Sequence, residues 1–187
     1  MIPRFNQHGV LPGDCRATID EILASHLVTG NGVPSRTWDV AKRRMLVENL
    51  RVVTDMFWRA GVSELFVDGS FVEAKDSPGD IDAYFPLDKD KPWELATLSG
   101  KLNAMDADPV WTWDPRALVY VPKGTKRELK YPFWVKYKVE VFSDTGGPTG
   151  ISDRTGRDLP FAQAFRQQRD TFRRKGIIQL TPPKGRP

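Results

Sequence analysis

The residues best suited to chemistry are gathered in one stretch, Phe66-Val-Asp-Gly-Ser-Phe-Val-Glu-Ala-Lys-Asp-Ser-Pro-Gly-Asp-Ile-Asp-Ala-Tyr-Phe85. Gly69 lets backbone approach a bulky anion, because it has no Cβ. Ser70 adds a hydroxyl and an amide at the start of a short helical turn, where a phosphate is favoured. Asp80 and Asp82 are two apart on a strand, so both carboxylates project from one face. Two carboxylates aimed at one point repel each other unless a cation lies between them. Hard oxygen ligands of this kind suit Mg2+ or Mn2+, above all when substrate phosphates complete the shell. Taken alone, an Asp-x-Asp pair on a strand also reads as two solvated carboxylates.

The flanking sequence supplies the elements that must position these groups. Leu65-Phe66-Val67 reads as a buried strand, Gly69-Ser70 as a turn and Phe71 to Lys75 as one helical turn. Ser77-Pro78-Gly79 reverses the chain into a strand from Ile81 to Phe85. A long amphipathic helix precedes them from about Trp38 to Ala60. Leu46, Leu50, Val53 and Phe57 form its apolar stripe, and Gly61 is placed for a left-handed C-cap. Upstream, Met1 to Arg16 reads as an extended arm, and Thr18-Ile-Asp-Glu21 has the form of a capping box opening a short helix.

Downstream, Asp90 and Pro92 predict the start of a helix carrying Trp93, Leu95, Leu98 and Leu102. Val110 to Trp113 and Leu118 to Val121 read as short strands, followed by a basic loop from Lys123 to Lys130. Alternation in Phe133, Val135, Tyr137, Val139 and Val141 predicts the longest strand, Phe133 to Phe142. Phe161 to Arg174 reads as a basic helix, Ile177 to Leu180 as a final edge strand, and Thr181 to Pro187 as a tail. The expected fold is α/β (α+β in some schemes), one domain over residues 1–187 with a small mixed sheet flanked by helices.

Composition narrows the function classes. At 187 residues the chain is one domain long. Its one cysteine, Cys15, excludes an internal disulfide framework, and with only His8 and His26 a Cys- or His-rich metal centre is excluded as well. There is no signal-peptide h-region and no apolar run long enough for a membrane span, so a cytoplasmic setting without membrane partners is expected. The P-loop, dinucleotide-binding, His-Glu-x-x-His and Gly-x-Ser-x-Gly patterns are absent. A net charge of +4 favours polyanionic partners. Lys126 and Arg127, with Arg169, Arg173 and Arg174, are the candidate polyanion surface, for RNA if the chain binds RNA. Lys136 and Lys138 fall on the predicted Glu140 face, as phosphate contacts or as a surface charge ladder.

Gly-Ser followed some ten residues later by Asp-x-Asp resembles the signature of the DNA polymerase β-like nucleotidyltransferase superfamily. The opening Ile-Pro-Arg-Phe-Asn-Gln-His-Gly-Val-Leu-Pro is similar to that of a largely uncharacterised bacterial and phage group of minimal, stand-alone members. The superfamily motif spans about Val62 to Phe85 and one later strand. The resemblance implies a nucleotidyltransferase fold, with Gly69 and Ser70 holding the triphosphate of a nucleotide such as ATP. It implies Mg2+ or Mn2+ on Asp80 and Asp82, and a third carboxylate on a later strand that helps to deprotonate an acceptor hydroxyl. Glu140, in Lys-Val-Glu-Val-Phe, is the best match to that third carboxylate, where the superfamily often has Asp; Asp144 and Asp114 are the alternatives. The implied reaction moves a nucleoside monophosphate from a nucleoside triphosphate to RNA, a protein or a small molecule. The setting implied for stand-alone members is toxin–antitoxin or phage-defence conflict. The contrasting expectation is a catalytically inactive module of the same fold that binds a partner protein or a nucleic acid.

Overall fold

The computed structural model describes residues 1–91 and 93–182, with Lys123 described by its backbone alone. Pro92, predicted to open a helix, and the tail beyond Pro182 lie outside the described residues. The chain begins with β1 (Cys15–Ala17), α1 (Ile19–Ala24), α2 (His26–Thr29) and α3 (Val40–Ala60). Next come β2 (Phe66–Asp68), a 3-10 turn (Gly69–Val72), β3 (Ile81–Pro86) and α4 (Trp93–Met105). β4 (Val119–Lys123), β5 (Lys126–Lys130), α5 (Pro132–Tyr137) and β6 (Val139–Asp144) follow. β7 (Ile151–Ser152), β8 (Asp158–Leu159), α6 (Phe161–Ala164) and β9 (Ile178–Leu180) complete it.

The main sheet has the order β1-β9-β2-β3-β6. β1 runs parallel to β9, β9 antiparallel to β2, β2 antiparallel to β3, and β3 parallel to β6. The fold is therefore α/β with a small mixed sheet flanked by helices.

Helix α3 anchors one face. Asp39 caps its start by accepting the Lys42 amide at 3.0 Å, and Gly61 ends it at φ 99°. Leu46, Leu50, Val53 and Phe57 are fully buried in one cluster with Val67, Ile81, Ala83, Val139 and Val141 of the sheet. Burying each large apolar side chain contributes about 1.5–3 kcal/mol. These residues commit alternate strand positions to the core, so their neighbours along each strand must point to the opposite face.

The arm is docked rather than merely extended. Ile2, Val10 and Leu11 are buried, and Val10 bridges Glu73 just beyond the 3-10 turn. Thr18 and Glu21 make the expected capping box.

Five expectations need correction. The alternation from Phe133 to Phe142 is cut in two. Pro132, with its fixed φ, opens α5, and Lys138 at φ 53° closes it before β6 begins. The helix buries Phe133 and Tyr137, four apart, and leaves Val135 exposed. Lys136 consequently pairs with Asp106 and Asp108, and Lys138 sits over the Trp134 ring. Val110 to Trp113 is irregular chain, held by the Trp111 amide donating to Asn103 Oδ1 and the Trp113 indole N–H donating to the Val141 carbonyl. The basic loop is a ribbon, β4 paired with β5 around Gly124.

The basic helix ends at Ala164. Beyond Phe165 its sequence offers no apolar residue until Phe172, which is exposed, so a continued helix would have no face to bury. The chain instead folds back, with Gln167 bridging Arg174. Finally, Ile178–Leu180 is an interior strand, not an edge.

His26 gives the fold an acid limit. It is buried beside Phe5 with ring centroids 4.7 Å apart, and among the described residues its Nε2 has no hydrogen-bond partner. Burial, then the charges of Arg4 and Arg43, lower its pKa to about 4. An unfolded histidine titrates near 6.5, so the unfolded chain takes up the proton first, and stability falls as pH drops from about 6.5 to about 4. We expect this residue to account for roughly 2 kcal/mol of acid destabilisation. Urea midpoints at pH 7 and pH 4.5 measure it, and His26→Leu should lose less stability than wild type between the two.

Candidate functional site

The sheet face opposite α3 carries two adjacent rows of side chains. Register places Phe66 opposite Tyr84, and Tyr84 opposite Phe142. Two residues along, it places Asp68 opposite Asp82, and Asp82 opposite Glu140. The aromatic row is covered by Phe161 and Phe165, with Phe66 and Tyr84 stacked at 4.8 Å. The carboxylate row is the candidate site. Asp80, immediately before β3, adds a fourth carboxylate, fixed by the Trp134 indole N–H donating to Oδ2 at 2.8 Å. Register and ion pairing thus bring Asp80, Asp82 and Glu140 to neighbouring positions, with Lys130 between Asp80 and Glu140.

Gly69 is pressed against this row. Its φ is +74°, and a Cβ there would lie 1.7 Å from Asp82 Oδ2 and 2.6 Å from its Cγ. A glycine is required on both counts. The four-residue 3-10 turn that it opens places Ser70 beside Gly69. Phe71 and Val72 of the same turn are buried as its anchor.

Arg43 of α3 holds the segment that follows. It is fully buried, and its guanidinium donates to the carbonyls of Leu27 (2.7 Å), Phe71 (2.9 Å), Glu73 (3.0 Å) and Lys75 (2.5 Å). The Trp38 ring lies on its face at 3.8 Å. The Asp39 side chain accepts from Ser77, fastening the far end of the same excursion.

Two lysines enter the acidic row, Lys130 at the end of the basic 123–130 run and Lys175 directly after Arg174. Lys130, the last residue of β5, pairs closely with Glu140 and lies 3.8 Å from Asp80 Oδ2. Lys175 is buried and lies 3.2 Å from Asp68, 2.6 Å from Glu73 and 3.3 Å from the Gly69 carbonyl. Asp68 itself was also missed, although it directly precedes Gly-Ser and shares strand parity with Phe66.

Negative charge still exceeds positive. Burial, then repulsion from Asp80 and Glu140, pushes the Asp82 carboxyl up to about 7. Burial pushes Asp68 up to about 7 against the pull of Lys175. Glu140 is raised by burial, with Lys130 opposing. Burial disfavours the charge on Lys130, but Glu140, Asp80 and Asp82 outweigh it and its pKa is raised.

The donor set is oxygen only and short of positive charge, and it fits a hard divalent cation better than a soft one. Asp80, Asp82 and Glu140 would hold it. Among the described residues no three such side chains are already gathered as a metal cage; Lys130 bridges two of the candidates instead.

Asp144 and Asp114 are engaged elsewhere. Asp144 accepts the amides of Gly146 and Ala162, and Asp114 caps its own turn and pairs with Arg116. Lys126 and Arg127 are exposed on the ribbon leading to Lys130. Arg169, Arg173 and Arg174 are exposed on the folded-back loop leading to Lys175. Arg166, at the start of the same loop, pairs with Asp14. No helix of the described residues is long and apolar enough to cross a membrane.

No curated protein and no solved structure matches this chain. The model of a family of unknown function, DUF6932, matches residues 3–181, and the chain belongs to that family.

Proposed function

We propose that the chain is a metal-dependent nucleotidyltransferase with the fold type of the DNA polymerase β-like superfamily. The observation that carries this reading is the carboxylate cluster of Asp80, Asp82 and Glu140 on neighbouring strands, with Gly69 against Asp82 and Ser70 beside it. A divalent cation held there would supply Lewis-acid activation of an acceptor hydroxyl and charge neutralisation at the phosphates. Asp80, Asp82 and Glu140 set the negative field that admits the nucleotide only with its counter-ion. Gly69 lets the turn close against the Asp82 carboxylate, and the Ser70 hydroxyl orients the phosphates. Glu140, half-buried beside Lys130, is the acceptor for the hydroxyl proton. The new bond joins the acceptor oxygen to the α-phosphorus, the bond to the β-phosphate oxygen breaks, and pyrophosphate leaves.

RNA is the favoured acceptor class, because both exposed basic segments run directly into a lysine of the acidic cluster. The test is transfer of label from α-labelled nucleoside triphosphates to total RNA and total protein, with Mg2+ or Mn2+. Labelled RNA and released pyrophosphate are expected with wild type, and a loss of 100-fold or more with Asp82→Asn. Equal transfer by Asp82→Asn, or no transfer with any nucleotide, would sink the reading.

One observation favours the second reading, a non-catalytic binding module: Lys130 and Lys175 already neutralise part of the cluster. Such a module would bind RNA or a partner protein equally well with and without divalent metal.

A further inference from the structure

We propose that Lys130 is a built-in counter-ion that competes with the divalent metal for Asp80 and Glu140 and, once displaced, binds the nucleotide's phosphates. This inference rests on the function proposed above. Lys130 bridges the oxygens of Asp80 and Glu140, two of the three side chains assigned to the cation, so ammonium and metal exclude each other. Its placement is built. The side chain is 13 % exposed, and the ammonium lies 5.2 Å from the centroid of the Trp134 ring, whose N–H fixes Asp80. β4 and β5 pair only with each other among the described strands, which leaves the end of β5 free of sheet bonds to the acidic row.

The consequence is coupling between ligands. Metal alone must expel Lys130 from both Asp80 and Glu140. A four-carbon stem lets the ammonium swing while the backbone stays in place. A triphosphate entering with the metal supplies the missing anion. Metal and nucleotide therefore bind each far better together than apart, by the same factor in either order. Lys175 differs from Lys130 here, since its partners are Asp68, Glu73 and the Gly69 carbonyl, outside the proposed metal ligands.

Mn2+ binding, followed by electron paramagnetic resonance of the free ion, reads the competition without any turnover. Wild type, Lys130→Met and Lys130→Gln are titrated with and without α,β-methylene-ATP, and thermal melting is recorded in parallel. Lys130→Met and Lys130→Gln should each bind Mn2+ alone about tenfold more tightly than wild type. The gain in Mn2+ affinity on adding nucleotide should shrink about tenfold in both. Each variant should melt lower than wild type without metal and recover with Mn2+. If wild type shows coupled binding and both variants match it, Lys130 is not the competitor and this inference falls while the nucleotidyltransferase reading stands. If neither wild type nor variants bind Mn2+, both fall.

Discussion

Gly69→Ala is expected to remove metal-dependent nucleotide binding by roughly 100-fold, on the order of 3 kcal/mol, and to lower stability by about 2–4 kcal/mol. Two effects add. An alanine at φ +74° carries left-handed backbone strain, and its Cβ would meet Asp82 Oδ2 at 1.7 Å. The flanking backbone is fixed by β2 and by buried Phe71 and Val72, so the carboxylate must move. Gly61→Ala separates the effects: it has the same kind of backbone at φ +99° with open space around it, and should show the strain alone. The double variant Gly69→Ala with Asp82→Ala loses the two closest clashes and should regain part of the stability without regaining binding. Urea denaturation of wild type, Gly69→Ala, Gly61→Ala, Asp82→Ala and the double variant, with Mn2+–nucleotide titration of each, checks the pattern. Additive losses in the double variant would mean that the close approach is not what demands glycine.

Arg43→Met should be the most destabilising single change outside the apolar core, at about 3–5 kcal/mol. Four carbonyls lose a charged donor at once, and three of them, those of Phe71, Glu73 and Lys75, belong to the segment that follows Gly-Ser. A buried acceptor left without a donor costs about 1–3 kcal/mol. Arg43→Lys should rescue little, because one ammonium cannot reach carbonyls arranged around a planar fork. A melting-temperature series would detect this, and hydrogen exchange should show the loss of protection centred on residues 69–75. A near-neutral Arg43→Lys would show that charge, not the fork, holds the excursion.

Several of these features are legible in the sequence, for identifiable reasons. Gly69, Ser70, Asp80 and Asp82 stood out because turn chemistry and strand parity are local properties. Helix α3 was equally plain, since its stripe, cap and terminal glycine all agree. The failures share a cause. The Phe133 to Phe142 alternation is a period-two pattern that an i,i+4 pair, Phe133 and Tyr137, also satisfies, and only Pro132 hinted at the break. Lys130 and Lys175 looked like ordinary members of basic runs. Their burial depends on carboxylates distant in sequence, such as Asp68 for Lys175. Arg43 stands between Lys42 and Arg44 in the sequence, and nothing local announces that four carbonyls will close around it.

The placement of β9 has a consequence for how the molecule comes together. Ile178–Leu180 lies between β1 and β2, so two strands from the first part of the chain have no direct contact in the sheet until one of the last segments is inserted. Pairings such as Cys15 with Ile178 span most of the chain, a topology that slows folding because distant ends must meet before the contacts reward it. During synthesis, β2 waits with an open edge, and Asp68 waits for Lys175, which lies three residues before β9. Closure of the sheet and completion of the acidic cluster are therefore a single late event. A chain halted on the ribosome before residue 175 would expose a sheet edge and leave Asp68 without Lys175 at the same time.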